Sequence, residues 1–397
     1  MLESFEKAPA EVERFGRRAL IVGVAGLSMC ALPALLVSSL RDQFFRSYLL
    51  SFVFWIGIAL GCFAILMVQH MSGGAWGLVI RRVLESATRT FPLFALLFLP
   101  IILGAHSLYI WARPEEVAAS EALMHKSVYL NVTFFVIRAV FYFLVWFVVS
   151  RALNKWSLEQ DRTGERALTS KMQNLCGPGL MLYGLTVTFA SIDWVMSLQP
   201  EWFSTIFGIL FMGGQGLSAM AFVIAVIVLL ASRKPMSEVI QPGHLHDLGK
   251  LMLAFLMLWA YFAFSQFLII WSGNLPEETP WYVRRLQSSW KYVGLALVLV
   301  HFALPFVLLL SRDLKRNARR LVIVAGIVIV MRFVDLIWMI VPEVRGGGFA
   351  IHWMDVTMCF GIGGIWLSVF LAQLANRPLL PMRDPDIEAA FSHAGGH

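Results

Sequence analysis

The chain has 397 residues, 58% of them hydrophobic and 14% charged, with a mean hydropathy of +0.72. Soluble domains carry about 25% charged residues, and apolar surface on this scale exceeds what one or two cores can hide. That excludes a water-soluble enzyme, a nucleic-acid binder and a disordered chain; the net charge of +7 sits in short segments between apolar runs, a mark of membrane topology rather than of nucleic acid.

A helix needs roughly 20 mostly apolar residues to cross a bilayer. Residues 1–18 are polar and carry Glu3, Glu6, Glu11 and Glu13, unlike the basic head of a cleavable signal. A retained first span is therefore predicted over 19–40. Nine more follow at 47–69, 91–111, 128–150, 174–197, 203–231, 250–272, 290–310, 320–341 and 353–375, and a polar tail over 376–397. The expected fold class is an all-α polytopic membrane protein of ten transmembrane helices. Ten spans put both termini on one side. That side holds 22 basic residues against 8 on the other, so the positive-inside rule makes both termini cytoplasmic.

The inner stretches 70–90 and 151–173 are the longest connections and polar enough to dock a partner. Ser72-Gly73-Gly74-Ala75-Trp76-Gly77 reads as a close-packing turn into a surface helix. The tail from Met382 through Arg383, Asp384, Pro385 and Asp386 reads as an extended contact arm. Span three ends in Trp111 followed by Pro114, Glu115 and Glu116; span seven ends in Trp271 followed by Pro276, Glu277 and Glu278. That echo suggests two related four-helix bundles, 47–197 and 203–341, with spans one and ten peripheral; chance similarity of turn sequences is the alternative. Cys30, Cys62, Cys176 and Cys359 have no paired spacing and read as small core residues.

Ionisable side chains at membrane depth cost roughly 2.5–3.5 kcal/mol each on insertion scales and are functional candidates by default. Arg138 lies ten residues into predicted span four and needs an internal partner or water. Asn131, Arg138 and Tyr142 fall at helical spacing, one polar stripe. Arg332 and Asp335, three apart in span nine, share a face; they read as an internal ion pair, which can also exchange protons or serve a quinone. His301 sits mid-span in span eight, four residues before Pro305, which has no N–H for the His301 carbonyl. The ring is then either part of a hydrated polar spot or hydrogen-bonded between helices. Asp193 falls on a stripe with Thr186 and Ser197, Pro200 stops the span, and Ser204 or Thr205 is placed to cap the next helix. Trp194 and Trp202 suit an interfacial belt. His352 and Asp355 open span ten at similar depth, and with Asp193 they could carry protons to the outer face. No metal ligand set is expected: His70 and His106 lie at opposite membrane ends and His301 lacks a partner for a b-type haem. No P-loop, dinucleotide fingerprint or nucleophile motif occurs.

Several stretches together resemble one family: Ser72–Arg82; Tyr129-Leu130-Asn131 with Arg138; Trp156–Asp161; and Asp193-Trp194-Val195-Met196-Ser197-Leu198 with Pro200 and Trp202. The resemblance is to ActF, an NrfD-like (polysulfide-reductase-type) membrane subunit of bacterial alternative complex III, a quinol:electron-acceptor oxidoreductase. It covers essentially the whole chain, and the Asp193 stretch is its most specific part. The resemblance implies two four-helix bundles plus two peripheral helices in a bacterial inner membrane. The implied partners are a sister NrfD-like subunit, an iron–sulfur protein and multihaem c-type cytochromes. Haem c and iron–sulfur clusters belong to those partners, quinol or menaquinol is the substrate, and this chain binds no redox cofactor of its own. The implied role is proton conduction or a second quinone-related site, and the positions it marks are Arg138, Asp193, His301, Arg332, Asp335 and Asp355.

Two other classes fit the same composition. A secondary transporter would show inverted or broken repeats, but halves of four spans each share one orientation. A structural membrane anchor would tolerate neutral replacements at Asp193 and His301.

Overall fold

Apolar runs of this length become helices because a bare backbone amide in hydrocarbon has no partner outside its own chain. The computed structural model describes residues 10–232, 236–345, 348–381, 383, 384 and 387. Among them there is no strand, and ten helices are long and apolar enough to cross a membrane. They run Glu11–Leu36, Ser38–Ser72, Ala75–Leu103, Val132–Thr163, Arg166–Leu198, Phe207–Ala231, Pro242–Gly273, Trp290–Leu310, Ala318–Val344 and Trp353–Ala375. The protein is thus an all-α, multi-pass membrane protein. Its odd-numbered spans begin at what is here termed the near end of the bundle and finish at the far end.

Span two is the hub. It packs against spans three, five and six, and its most apolar stretch is 89% buried within the protein, against 17% for span one. It crosses span six very closely: a Cβ at Gly61 would lie 2.1 Å from the Gln215 carbonyl. Spans two to five pack on one another, as do six to nine, and the contact of spans two and six joins the two groups. Span ten lies against spans two and three, with Trp366 fully buried between Trp55, Phe94 and Phe222. Span one rests outermost on span ten through facing glycines; a Cβ at Gly23 would lie 2.5 Å from the Ile365 nitrogen.

Three expectations fail at the near end, for one reason. Span three begins at Ala75 rather than near residue 91, as helices Ala75–Thr88, Phe91–Leu97 and Leu99–Leu103 in succession. Its supposed surface portion is buried from Gly77 to Thr88. Stretch 151–163 simply continues span four. These two segments dock on each other instead of standing free for a partner. Arg82 pairs with Glu85 and Asp161, Ser157 donates to Glu85 at 2.6 Å, and Asn154 donates to Thr88 at 2.9 Å. Charges that hydropathy assigns to solvent are neutralised internally.

The tail also folds inward. Asp384, 5% exposed, binds Arg81 at 2.5 Å, while Met382, Pro385 and Asp386 of the expected arm lie outside the described residues, as do Glu3 and Glu6. The glycine run does turn, with Gly73 and Gly74 at φ of 65° and 100°, values that L side chains rarely adopt. The close packing, however, is at Gly77, where a Cβ would lie 2.0 Å from the Gln69 side chain, and not at Gly73, which has open space around it. Cys30, Cys62 and Cys176 are buried and unpaired.

Candidate functional site

Two of the buried ion pairs hold residues expected at membrane depth, and they lie at different depths. The first lies near the far end, where span four begins and span five finishes. The helix of span four starts at Val132 because Asn131, in extended conformation, accepts from the Phe134 amide. Asn131 is therefore a cap and leaves the polar stripe expected with Arg138 and Tyr142. Arg138, six residues on, is about 9 Å below that start at 1.5 Å per residue, shallower than the predicted boundary put it. Its guanidinium grips Asp193 with both arms, Nε to Oδ2 and Nη2 to Oδ1 at 2.8 Å each. The Tyr142 hydroxyl donates to the same carboxylate at 2.8 Å. The third arm reaches the Tyr129 carbonyl, and the guanidinium lies 3.8 Å from the centre of the Tyr129 ring. Burial and the neighbouring Asp193 carboxylate push the Tyr129 phenol well above its ordinary value.

Asp193 itself has no exposed surface. The Ser197 hydroxyl caps its backbone carbonyl at 2.5 Å, whereas Thr186 receives the Trp146 indole at 2.9 Å and does not join the site. Trp194 and Trp202 are not a belt. They are 2% and 3% exposed, Trp194 among Phe52, Phe98 and Phe143, and Trp202 stacked on Trp281 at 5.0 Å. Ser204 and Thr205 do not cap span six, whose cap position is Ile206; Ser204 donates to Gln266 instead.

The second pair is central to spans six to nine. Arg332 and Asp335 are bonded on one face of span nine, as their spacing predicts, and both are buried. The Trp259 indole of span seven donates to Asp335 at 3.2 Å. Gly214 of span six makes room for Arg332: a Cβ there would lie 2.2 Å from the guanidinium carbon. Trp259 also packs against His301 in a tilted arrangement, ring centres 4.1 Å apart. His301 lies in a π-helical segment, Leu297–Ala303, just before Pro305, the kind of widened turn that a missing proline N–H permits. The ring is fully buried, and neither nitrogen has a hydrogen-bond partner among the described residues. The quiet inter-helix hydrogen bond expected as one alternative is not made.

His352 and Asp355 form a capping box at the start of span ten. Asp355 accepts from the His352 amide at 2.9 Å and from Ser47 at 2.6 Å, so the pair ties span ten to span two.

Sequence reasoning missed a third cluster at the far end. Arg285, fully buried, binds Glu343 at 2.6 Å, lies 3.5 Å over the Trp281 ring and donates to the Trp338 and Met339 carbonyls. Burial pushes its guanidinium down to about 10, against the pull of Glu343. Arg285 counted as a loop charge, Glu343 falls just past the predicted end of span nine, and nothing local marks them as partners 58 positions apart. Trp259 and Gly214 were likewise unremarkable, since their roles depend on helices brought together from far along the chain. Among the described residues no group of three His, Cys, Asp or Glu side chains could hold a metal ion. No family model matches the chain, and no curated protein matches it either.

Proposed function

We propose that this chain is a cofactor-free membrane subunit of a quinol-oxidising respiratory complex of the alternative complex III type, conducting protons through its buried polar groups. The reading places it in a bacterial inner membrane with both termini cytoplasmic, beside a sister NrfD-like subunit, an iron–sulfur protein and multihaem c-type cytochromes that carry the electrons. The observation that supports it most is His301: a titratable ring fully buried at mid-span, with neither nitrogen hydrogen-bonded among the described residues, packed against the indole that hydrogen-bonds Asp335. An imidazole in that state can accept a proton on one nitrogen and release one from the other. Arg138, Asp193 and Tyr142 offer a second hydrogen-bonded relay toward the far end. His352 and Asp355 are occupied as caps and are left out of the path.

The test uses the intact complex with His301→Gln and, separately, Asp193→Asn, in vesicles with quinol supplied. Proton release per quinol oxidised is expected to drop in both variants, measured on the fraction of complex that remains assembled. Unchanged release and turnover in assembled complexes would leave a structural anchor. Solute uptake driven by this chain alone would point to a transporter.

A further inference from the structure

Four cations converge near the near end around a pocket whose lining holds no carboxylate. Arg89 on span three, Arg151 and Lys155 on span four, and Arg377 after span ten line an open pocket of about 350 Å³ with Ser150 and Asn154. No ion pair forms with any of the four among the described residues, in contrast to the neighbouring Arg81 and Arg82. Arg89 donates to the Asn154 carbonyl at 3.3 Å, but its Nε is buried with no partner, as is Oδ1 of Asn154. Among the described residues Arg377 makes one bond, to the Gln373 carbonyl at 2.7 Å. Burial and the nearby Arg82 both lower its guanidinium from the ordinary arginine value, against the pull of Glu85.

An apolar groove of about 420 Å³ opens directly from this pocket, sharing Pro92 and Phe147 with it. It follows span three from Phe91 to Ile102 and span four from Phe147 back to Val136. Eleven helical steps make it roughly 16 Å long at 1.5 Å per residue. That is about half of the roughly 30 Å hydrocarbon thickness, the depth of a single leaflet.

We infer that the pocket and groove form one binding site for an anionic glycerophospholipid of the leaflet at the near end, its phosphodiester among Arg89, Arg151, Lys155 and Arg377 and its acyl chain between spans three and four. Charge complementarity selects this occupant. A neutral quinol head or a zwitterionic choline head would leave the four cations without a net counter-charge, while a basic pocket between spans suits an anionic headgroup.

Native mass spectrometry of the full chain in mild detergent tests this, titrating phosphatidylglycerol, phosphatidylcholine of the same acyl chains, and inorganic phosphate. Phosphatidylglycerol is expected to bind at least about tenfold more tightly than phosphatidylcholine, and phosphate far more weakly than either, since it cannot use the groove. The triple variant Arg151→Gln, Lys155→Gln, Arg377→Gln should lose that preference, at about a factor of five per cation removed. Val140→Trp, which fills the groove from a lipid-exposed position and keeps every charge, should weaken phosphatidylglycerol and leave the weak phosphate binding alone. Equal binding of the two lipids overturns the inference, as does phosphate matching phosphatidylglycerol, selective retention of a quinol, or phosphatidylglycerol affinity unchanged in Val140→Trp. The last variant decides the matter even if the triple variant fails to fold.

Discussion

Both carboxylate oxygens of Asp193 are engaged, and every arm of Arg138 has an acceptor or an aromatic face. Such a pair is held by mutual satisfaction, so removing one member is worse than removing both. Asp193→Asn leaves the guanidinium buried without a counter-charge and is expected to destabilise the protein by about 3–5 kcal/mol. The double variant Arg138→Leu, Asp193→Leu should recover most of that loss, because an apolar pair avoids the desolvation of two ions. Thermal unfolding of the three proteins in detergent checks the order; a double variant less stable than Asp193→Asn alone would contradict it. His301 is a different kind of residue. Its nitrogens form no hydrogen bond among the described residues, so His301→Gln should change proton release more than stability.

At the scale of helices, small residues decide which spans touch. Without a hydrophobic drive between helices in lipid, close backbone approach is what holds them. A Cβ at Gly364 would lie 2.4 Å from the Ala19 carbonyl oxygen and 2.5 Å from the Gly23 nitrogen, backbone atoms that cannot step aside. Gly364→Val should therefore push span one off span ten, at about 1–3 kcal/mol for overpacking. The expected readout is a lower melting temperature together with faster proteolysis of the segment before Leu20, while the remaining spans stay protected. The register of span ten is set independently by its capping box and the Ser47 bond, which is why only span one should respond.

For the molecule as a whole, the near end is closed by a charge network and the far end by the Arg285–Glu343 and Arg138–Asp193 pairs. Arg82→Leu removes the guanidinium that Glu85 and Asp161 share. The expected cost is about 3–5 kcal/mol for stranding buried charge, seen as early unfolding and as cleavage within 154–175 on limited proteolysis. Protection equal to the parent chain would show that spans three and four dock there without it.

Ten spans, their order and the Arg332–Asp335 pair were legible from the sequence alone, because hydropathy over twenty residues and spacing along one helix are local properties of the chain. The start of span three was not, since Arg81, Arg82 and Glu85 look solvent-bound until Asp161 and Asp384 arrive to neutralise them. Nor were Asp193 as the partner of Arg138, Trp259 as the link between His301 and Asp335, or the convergence of Arg89, Arg151, Lys155 and Arg377. Composition alone determines that this chain must leave water. Which charges meet inside it is decided by tertiary packing, because the energy of a buried ion depends on what stands a few ångströms away in space, whatever the separation along the sequence.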